Sequence, residues 1–483
     1  MIVRRICNTA SCGIDPRGIR QISALQPFRL LLAGKEGRIM KQIQLPEKVK
    51  KIIARLEMAG FEAYAVGGCV RDSLLGRMPD DWDVTTSAKP QQVKELFHRT
   101  IDTGIQHGTV TVMLEHEGFE VTTYRIDGTY EDSRHPKEVI YTANLIEDLK
   151  RRDFTINAFA YNDKSGIVDV FGGMEDLKQK KIRCVGEATE RFGEDALRMM
   201  RAVRFSAQLG FSIAEDTKAA IRALAPNLKN ISAERVQTEL VKLLLSEHPD
   251  FVRDAYMLGI TKVILPELDA AFLTPQHNPH HRYNVGEHLM QTLLHTRADK
   301  ALRIAALLHD IGKPAAKTTD TAGIDHFHAH VEQSERIATD ILKRLKFDND
   351  TIIKVQKYIR YHDDKPEPNA RSVRRAVHRI GTEYFAQVLE LQWADVMAQS
   401  SYQQQEKFAR IDKTRKLYEE IMEQEQCVSL KTLKITGNDL IALGIPRGKK
   451  IGAILNLLLE EVLQEPTNNT QEYLIEKAKE IIL

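Results

Sequence analysis

Between Leu45 and Gly60 the apolar positions Val49, Ile52, Ile53 and Leu56 recur at helical spacing, with polar residues between them. Gly60 fits a helix stop, so the segment predicts an amphipathic helix. Phe61 to Val66 reads as a short strand, Gly67-Gly68 breaks it, and Val70 to Leu75 starts a second helix. TVTVML, 109–114, and FEVTTY, 119–124, read as paired strands with Glu115-His116-Glu117-Gly118 as their turn. The chain to about residue 165 is therefore α+β. After about residue 187 the strand signal fades and helical patterns run to the C-terminus. A Pro- and His-rich break, TPQHNPHHRY at 274–283, divides the helical part, and a second break lies near Asp363 to Asn369. There is no internal repeat or low-complexity tract. EEIMEQEQ, 419–426, reads as a solvated helix face.

Length and composition narrow the field. With 483 residues, two to four domains and a sizeable core are expected. The 42% hydrophobic and 28% charged content is globular. No apolar run approaches the roughly 20 residues that cross a bilayer, so a soluble protein is expected. The net charge of +2 announces no nucleic-acid partner, so any such surface must come from local clusters of Lys and Arg. Five dispersed cysteines without a C-x-x-C pair exclude a zinc ribbon or disulfide framework and fit a reducing cytoplasm. Residues 1–39 carry seven Lys/Arg and two acids, with little periodicity. They read as a disordered extension or as sequence upstream of the true start, with Met40 opening the first domain.

Chemistry concentrates in three places. The first is GGCVRDSLLGRMPDDWDVTT, 67–86. Glycines between a strand and a helix let the backbone approach a phosphate, and the helix N-terminus offers free N–H groups. Asp81 and Asp83, at i and i+2, would point to one side of a strand. Two adjacent carboxylates repel unless a cation lies between them, which is the arrangement that holds Mg²⁺ for in-line phosphoryl transfer. Either motif alone is weak, and their combination is much stronger.

GGCVRDSLLG followed by DDWDVTT resembles the first motif of the tRNA CCA-adding enzyme and poly(A) polymerase family, of bacterial type, within the polymerase-β superfamily. The resemblance implies metal binding by Asp81 and Asp83, nucleotide contacts from Gly68 and Arg71, and a third carboxylate, for which Glu120 is the candidate. RRDFTINA, 151–158, resembles the family's second motif and implies nucleotide contact by Arg152, braced by Asp153.

The second place is EDALRMMRAVRF, 194–205, whose composition favours a helix. On such a helix Asp195 and Arg198 would be neighbours, offering an acceptor and a fork of donors. By composition alone this is a surface ion pair. The resemblance implies that the pair reads the Watson–Crick edge of CTP or ATP, with further contacts from Arg201 and Arg204. Steps of three drift around a helix, so Arg204 would lie roughly opposite Asp195. The polar segment 126–139, with Arg134, reads as a mobile loop. In the family a loop of this completeness implies full CCA addition.

The third place spans 285–395, where VGEHLMQTLLH, IAALLHDIGKP, HFHAHVEQS, YIRYHDD and WADVMAQ carry His and Asp on successive helices. Imidazole with carboxylate suits a transition metal. The pattern resembles an HD-type phosphohydrolase domain and implies the set His288, His309, Asp310, His330, His362 and Asp395, with His326 and His328 competing for the place of His330. In the tail, Arg447, Lys449 and Lys450 precede an apolar helix within GNDLIALGIPRGKKIG, which resembles the family's tRNA-contacting region.

The expected architecture is an α+β nucleotidyltransferase head, a small mixed sheet with helices over 40–165. An all-α neck over 166–273, an HD-type domain over 274–400 and a helical tRNA-binding tail over 401–483 follow. The expected partners are tRNA, CTP and ATP, with no membrane and an open oligomeric state. The expected cofactors are Mg²⁺ at the aspartate pair and a transition metal at the HD set. The sister activities are CC addition, A addition and poly(A) synthesis. The rivals of other classes are a metal phosphohydrolase and a non-catalytic tRNA-binding protein.

Overall fold

A computed structural model describes residues 43–127 and 139–482. Helix α1, Glu47–Met58, buries Val49, Ile52, Ile53 and Leu56, the predicted stripe. It ends where Gly60 turns to φ +88° and Phe61 N–H donates to Leu56 O at 3.1 Å. Strand β1, Ala63–Val66, follows, then α2, Gly68–Leu74, β2, Val84–Thr86, and α3, Pro90–Leu96. Strands β3, Thr100–Gly104, β4, Thr109–Leu114, and β5, Glu117–Thr123, come next. The β4–β5 turn is two residues, Glu115 and His116, both at positive φ, and not the four expected. That tight form matches the right-handed twist of the strands and leaves Gly118 inside the ladder opposite Met113.

The head sheet has the order β3-β4-β5-β2-β1-β8-β9, where β8 is Ala160–Asn162 and β9 is Gly166–Val168. Only the β2–β5 pair is parallel; the other neighbours are antiparallel. Because β9 pairs with β8, the sheet runs past residue 165. Two short strands outside it, β6, Arg125–Asp127, and β7, Val139–Tyr141, flank residues 128–138. Arg134 lies outside the described residues. Helix α4, Leu145–Lys150, then leads into the RRD segment, and its N-cap Asn144 side chain accepts from Ile146 N–H.

The remainder is helical apart from two-residue strand pairs such as Thr318–Thr319 with Asp325–His326. The expected break at 274–283 is non-helical, and the second break separates helices Asn349–Tyr361 and Ala370–Ile380. One buried apolar cluster reaches from Ile43 to Ala478. A second, smaller cluster in the head joins Val66, Tyr124, Leu145, Leu149 and Ala160. No helix among the described residues is long and apolar enough to cross a membrane.

Candidate active site

Asp81 and Asp83 lie just before β2 rather than within it. Parallel register pairs Val84 with Val121, so Asp83 and Glu120 sit side by side one step earlier. Val84 and Val121 are fully buried, which sends Asp83 and Glu120 to the other face. Asp83 is exposed overall, yet protein atoms crowd its carboxyl. That desolvation raises its pKa; Arg152 opposes, and the like charges of Glu120 and Asp81 add to the rise. Three carboxylates thus lie close enough on this face for Asp83 to feel the like charges of the other two. The donor set fits a divalent metal.

The end of β1 is tied to this point, because Val66 N–H donates to Asp83 O at 3.0 Å. Gly67 follows at φ +82° and ψ −129°, a conformation L residues avoid. A Cβ there would lie 2.8 Å from Arg152 Nη1. Arg71 is buried in α2, donates to Asn157 Oδ1 at 2.5 Å and to both Asp72 oxygens, and lies near Gly68.

A pocket of about 280 Å³ adjoins this face, lined by five arginines, 151, 152, 198, 201 and 235, with Asp153 and Asp195. Asp153 braces it as expected: it accepts from Asn157 Nδ2 at 3.0 Å and Arg201 Nε at 2.8 Å. Burial alone would raise the Asp153 carboxyl, but Arg201 and these hydrogen bonds hold it at about 2.

Asp195 and Arg198 do not share a helical face. Helix Ala188–Glu194 stops at Asp195, φ −140°, and helix Leu197–Leu209 restarts beyond it. The Asp195 side chain competes with the helix for backbone donors and accepts from Leu197 N–H at 3.1 Å. Arg235, on helix Ala233–Leu244, then grips Asp195 through Nη2 at 2.7 Å and Nη1 at 3.3 Å. A carboxylate offers about four lone-pair positions, so capacity for about one more donor remains. Arg198 is oriented by Glu194 at 2.5 Å and by the carbonyls of Arg191 and Arg151 at 3.1 and 2.9 Å. The acceptor and donor still meet in one pocket, but through a break in the helix. Arg201 lines the same pocket. Arg204 does not; it is buried against Glu239, 2.7 Å away, and stacks on Phe205. Arg235 and Glu194 were missed as partners because their roles depend on which helices meet.

The six residues of the HD set come from five helices and their ends. His288 lies on helix Val285–Leu294, His309 and Asp310 follow helix Lys300–Leu308, and His330 opens helix His330–Arg344. His362 follows helix Asn349–Tyr361, and Asp395 lies on helix Thr382–Ala398. His288 Nε2 is 3.3 Å from Asp310 and 3.0 Å from Asp395; His309 Nε2 is 3.3 Å from Asp310. His330 and His362 reach the other Asp310 oxygen at 3.4 and 3.6 Å. His326 instead pairs with Asp320 at 2.9 Å and stacks on His328. Of the three, His330 is the one whose ring nitrogen lies close to Asp310, at 3.4 Å.

The Nδ1 atoms of His309, His330 and His362 each face a backbone carbonyl at 3.0, 2.9 and 2.7 Å. A carbonyl only accepts, so each Nδ1 carries the proton and each Nε2 turns its lone pair inward. Asp310 Oδ1 is buried with no hydrogen-bond donor on it, which fits a metal at this centre. Burial opposes ionisation of Asp310, but the Lys313 ammonium, 2.7 Å away, holds its carboxyl well below the usual range. Gly312 cannot carry a Cβ, which would lie 2.4 Å from Ser334 N, so the loop sits directly on helix His330–Arg344.

In the tail, Arg447, Lys449 and Lys450 are exposed at the start of helix Lys449–Gln464. Lysines at the positive end of a helix gain nothing from its dipole.

Comparison with known proteins agrees with this geometry. A family model described as "Poly A polymerase head domain" matches residues 63–183. One described as "Probable RNA and SrmB- binding site of polymerase A" matches 210–272, and a model of tRNA nucleotidyltransferase domain 2 matches 317–478. The CCA-adding enzyme of Leuconostoc mesenteroides is 56% identical over 209 residues, 43% of this chain and 52% of that one. The CCA-adding enzyme of Enterococcus faecalis is 51% identical over 209 residues, 43% of this chain and 52% of its own. The chain thus spans about half the length of the curated relatives it matches. The crystal structure of the Bacillus stearothermophilus CCA-adding enzyme in complex with CTP aligns with TM-score 0.66 and 30% identity, over 89% of this chain and 96% of that one. The Thermotoga maritima CCA-adding enzyme complexed with tRNA shares the fold, with TM-score 0.57 at 18% identity, over 91% and 97% of the two chains. By its head geometry and its likeness over nearly all of a solved relative, the chain belongs to the family of CCA-adding enzymes.

Proposed function

We propose that this chain adds C, C and A to the 3′ end of tRNA from CTP and ATP without a nucleic-acid template, releasing pyrophosphate. The observation that carries this reading is the pocket in which Asp195 and Arg198 sit with four further arginines, next to the Asp81–Asp83–Glu120 face. The carboxylates have the donor set for Mg²⁺, which when bound stabilises charge on the reacting phosphate. The chain's own residues do the rest. Arg152 and Arg71 supply positive charge along the Gly67-Gly68 turn. Asp195 and Arg198 offer an acceptor and donors that match cytosine or adenine. The 3′ hydroxyl attacks the α-phosphate, its oxygen forms the new bond, and the bond to the β-phosphate oxygen breaks.

Arg447, Lys449 and Lys450 are our candidates for contacts to tRNA phosphates. The reading places the protein in the cytoplasm. The test is extension of tRNA lacking its 3′ end. CTP and ATP together should add three nucleotides. CTP alone should add two. Long tails from ATP alone would favour poly(A) synthesis, and arrest after two nucleotides with both present would favour CC addition.

A second reading is favoured by the convergence of the six His and Asp side chains. We propose that they bind a transition metal and hydrolyse phosphate esters. Water supplies the oxygen of the new P–O bond, and the released alcohol takes a proton. Phosphate release that is lost in His309→Ala is expected; release unchanged in that variant would remove the reading.

A further inference from the structure

The cavity over the His–Asp centre, about 310 Å³, is closed on one side by a helix outside the set. Lys407 and Arg410 reach it from helix Gln404–Glu423. Asp395 Oδ2 accepts from Gln399 Nε2 at 2.9 Å, and Gln399 Oε1 accepts from Lys407 Nζ at 2.6 Å. The ammonium is thus two hydrogen bonds from the centre. Its second partner is His280 Nδ1 at 3.1 Å.

Neither Lys407 nor Arg410 forms an ion pair among the described residues. Lys365, also on the wall, is taken by Asp363 at 2.5 Å, and Lys313 is taken by Asp310. Desolvation makes the charged form of Lys407 less favourable; Asp395 opposes this, and Lys365 and Arg410 add repulsion. Two cations on the wall of one cavity, neither in an ion pair among the described residues, are better satisfied by an anion.

We infer that this cavity takes a phosphate ester carrying a second phosphate, with the reacting phosphate at the His–Asp centre and the second on Lys407 and Arg410. The inference rests on reading that centre as a phosphohydrolase. A simple monoester would leave the two cations unused. A nucleoside bisphosphate and a 3′-phosphorylated RNA end share the required chemistry.

The test uses the full chain with Asp81→Asn and Asp83→Asn, so that Mn²⁺ is not captured at the first centre. Mn²⁺ uptake is measured by equilibrium dialysis, and binding of methylenediphosphonate and methylphosphonate by calorimetry. In K407Q/R410Q, Mn²⁺ uptake and methylphosphonate binding should be unchanged, and methylenediphosphonate should bind about tenfold more weakly. K407R/R410K should restore most of that loss, which separates charge from folding. Methylenediphosphonate binding unaltered in K407Q/R410Q would overturn the inference. If His309→Ala and Asp310→Ala leave Mn²⁺ uptake unchanged, the centre itself is misread, and the inference falls with it. Adenosine 3′,5′-bisphosphate and a 3′-phosphorylated dinucleotide then distinguish the two sources by relative affinity, and equal binding of both to K407Q/R410Q and the parent would again contradict it.

Discussion

At the scale of single residues, Arg235 shows what the sequence could not convey. Its two hydrogen bonds to Asp195 fix a carboxylate that a broken helix would otherwise leave to solvent. Removing one partner of a charge-assisted pair costs about 1.5–3 kcal/mol. Arg235→Ala should therefore raise KM for CTP and ATP by about tenfold or more and loosen discrimination against GTP and UTP, with Arg235→Lys partly restoring it. Steady-state kinetics with each nucleotide checks this; unchanged KM and selectivity would mean that Asp195 needs no positioning. Asp153 yields a pH prediction. Its folded pKa, about 2, lies below the usual carboxylate value of about 3.9, so it contributes stability that is present above the unfolded value and lost as pH falls through the folded one. The contribution is roughly 2 kcal/mol. Asp153→Asn should flatten the fall in stability between about pH 4 and pH 2, measured by denaturant unfolding. The paired acids Asp81 and Asp83 were legible from spacing. Glu120 was a candidate through the family resemblance, but its place beside Asp83 follows from the β2–β5 register, which is a long-range fact.

At the scale of elements, apolar periodicity located α1, β4 and β5 well because each buries one regular face. It missed the helix break at Asp195, because Ala, Leu and Met around it favour helix and a single side chain overrides them. It also read Asp81 and Asp83 as strand residues, although pairing begins only at Val84. The head turn separates function from stability. Gly67→Ala should cost roughly 1–3 kcal/mol through its positive φ and should also depress nucleotide incorporation, because its Cβ meets Arg152. Ile52→Ala on α1 should cost about 2–5 kcal/mol by cavity formation and leave KM unchanged. Thermal unfolding and kinetics on both variants check the contrast.

At the scale of the molecule, two centres share one chain. The likeness to the Bacillus stearothermophilus enzyme covers most of it, and the His–Asp centre lies within the helical part. The helical clusters of His and Asp were visible in the sequence, but the different contacts of His326, His328 and His330 were not, because they depend on a loop that pairs His326 with Asp320 and stacks it on His328. Independence of the centres is expected: His309→Ala should abolish phosphate release and leave tRNA extension intact. Replacing Arg447, Lys449 and Lys450 with Gln should weaken tRNA binding for all sequences and lower the slope of log K against log salt by up to about three.

The most direct measurement is nucleotide incorporation into tRNA lacking its 3′ end by Asp81→Ala, with CTP binding measured on the same preparation. The account predicts folded protein that still binds CTP and adds no nucleotide. Wild-type incorporation by that variant would contradict it.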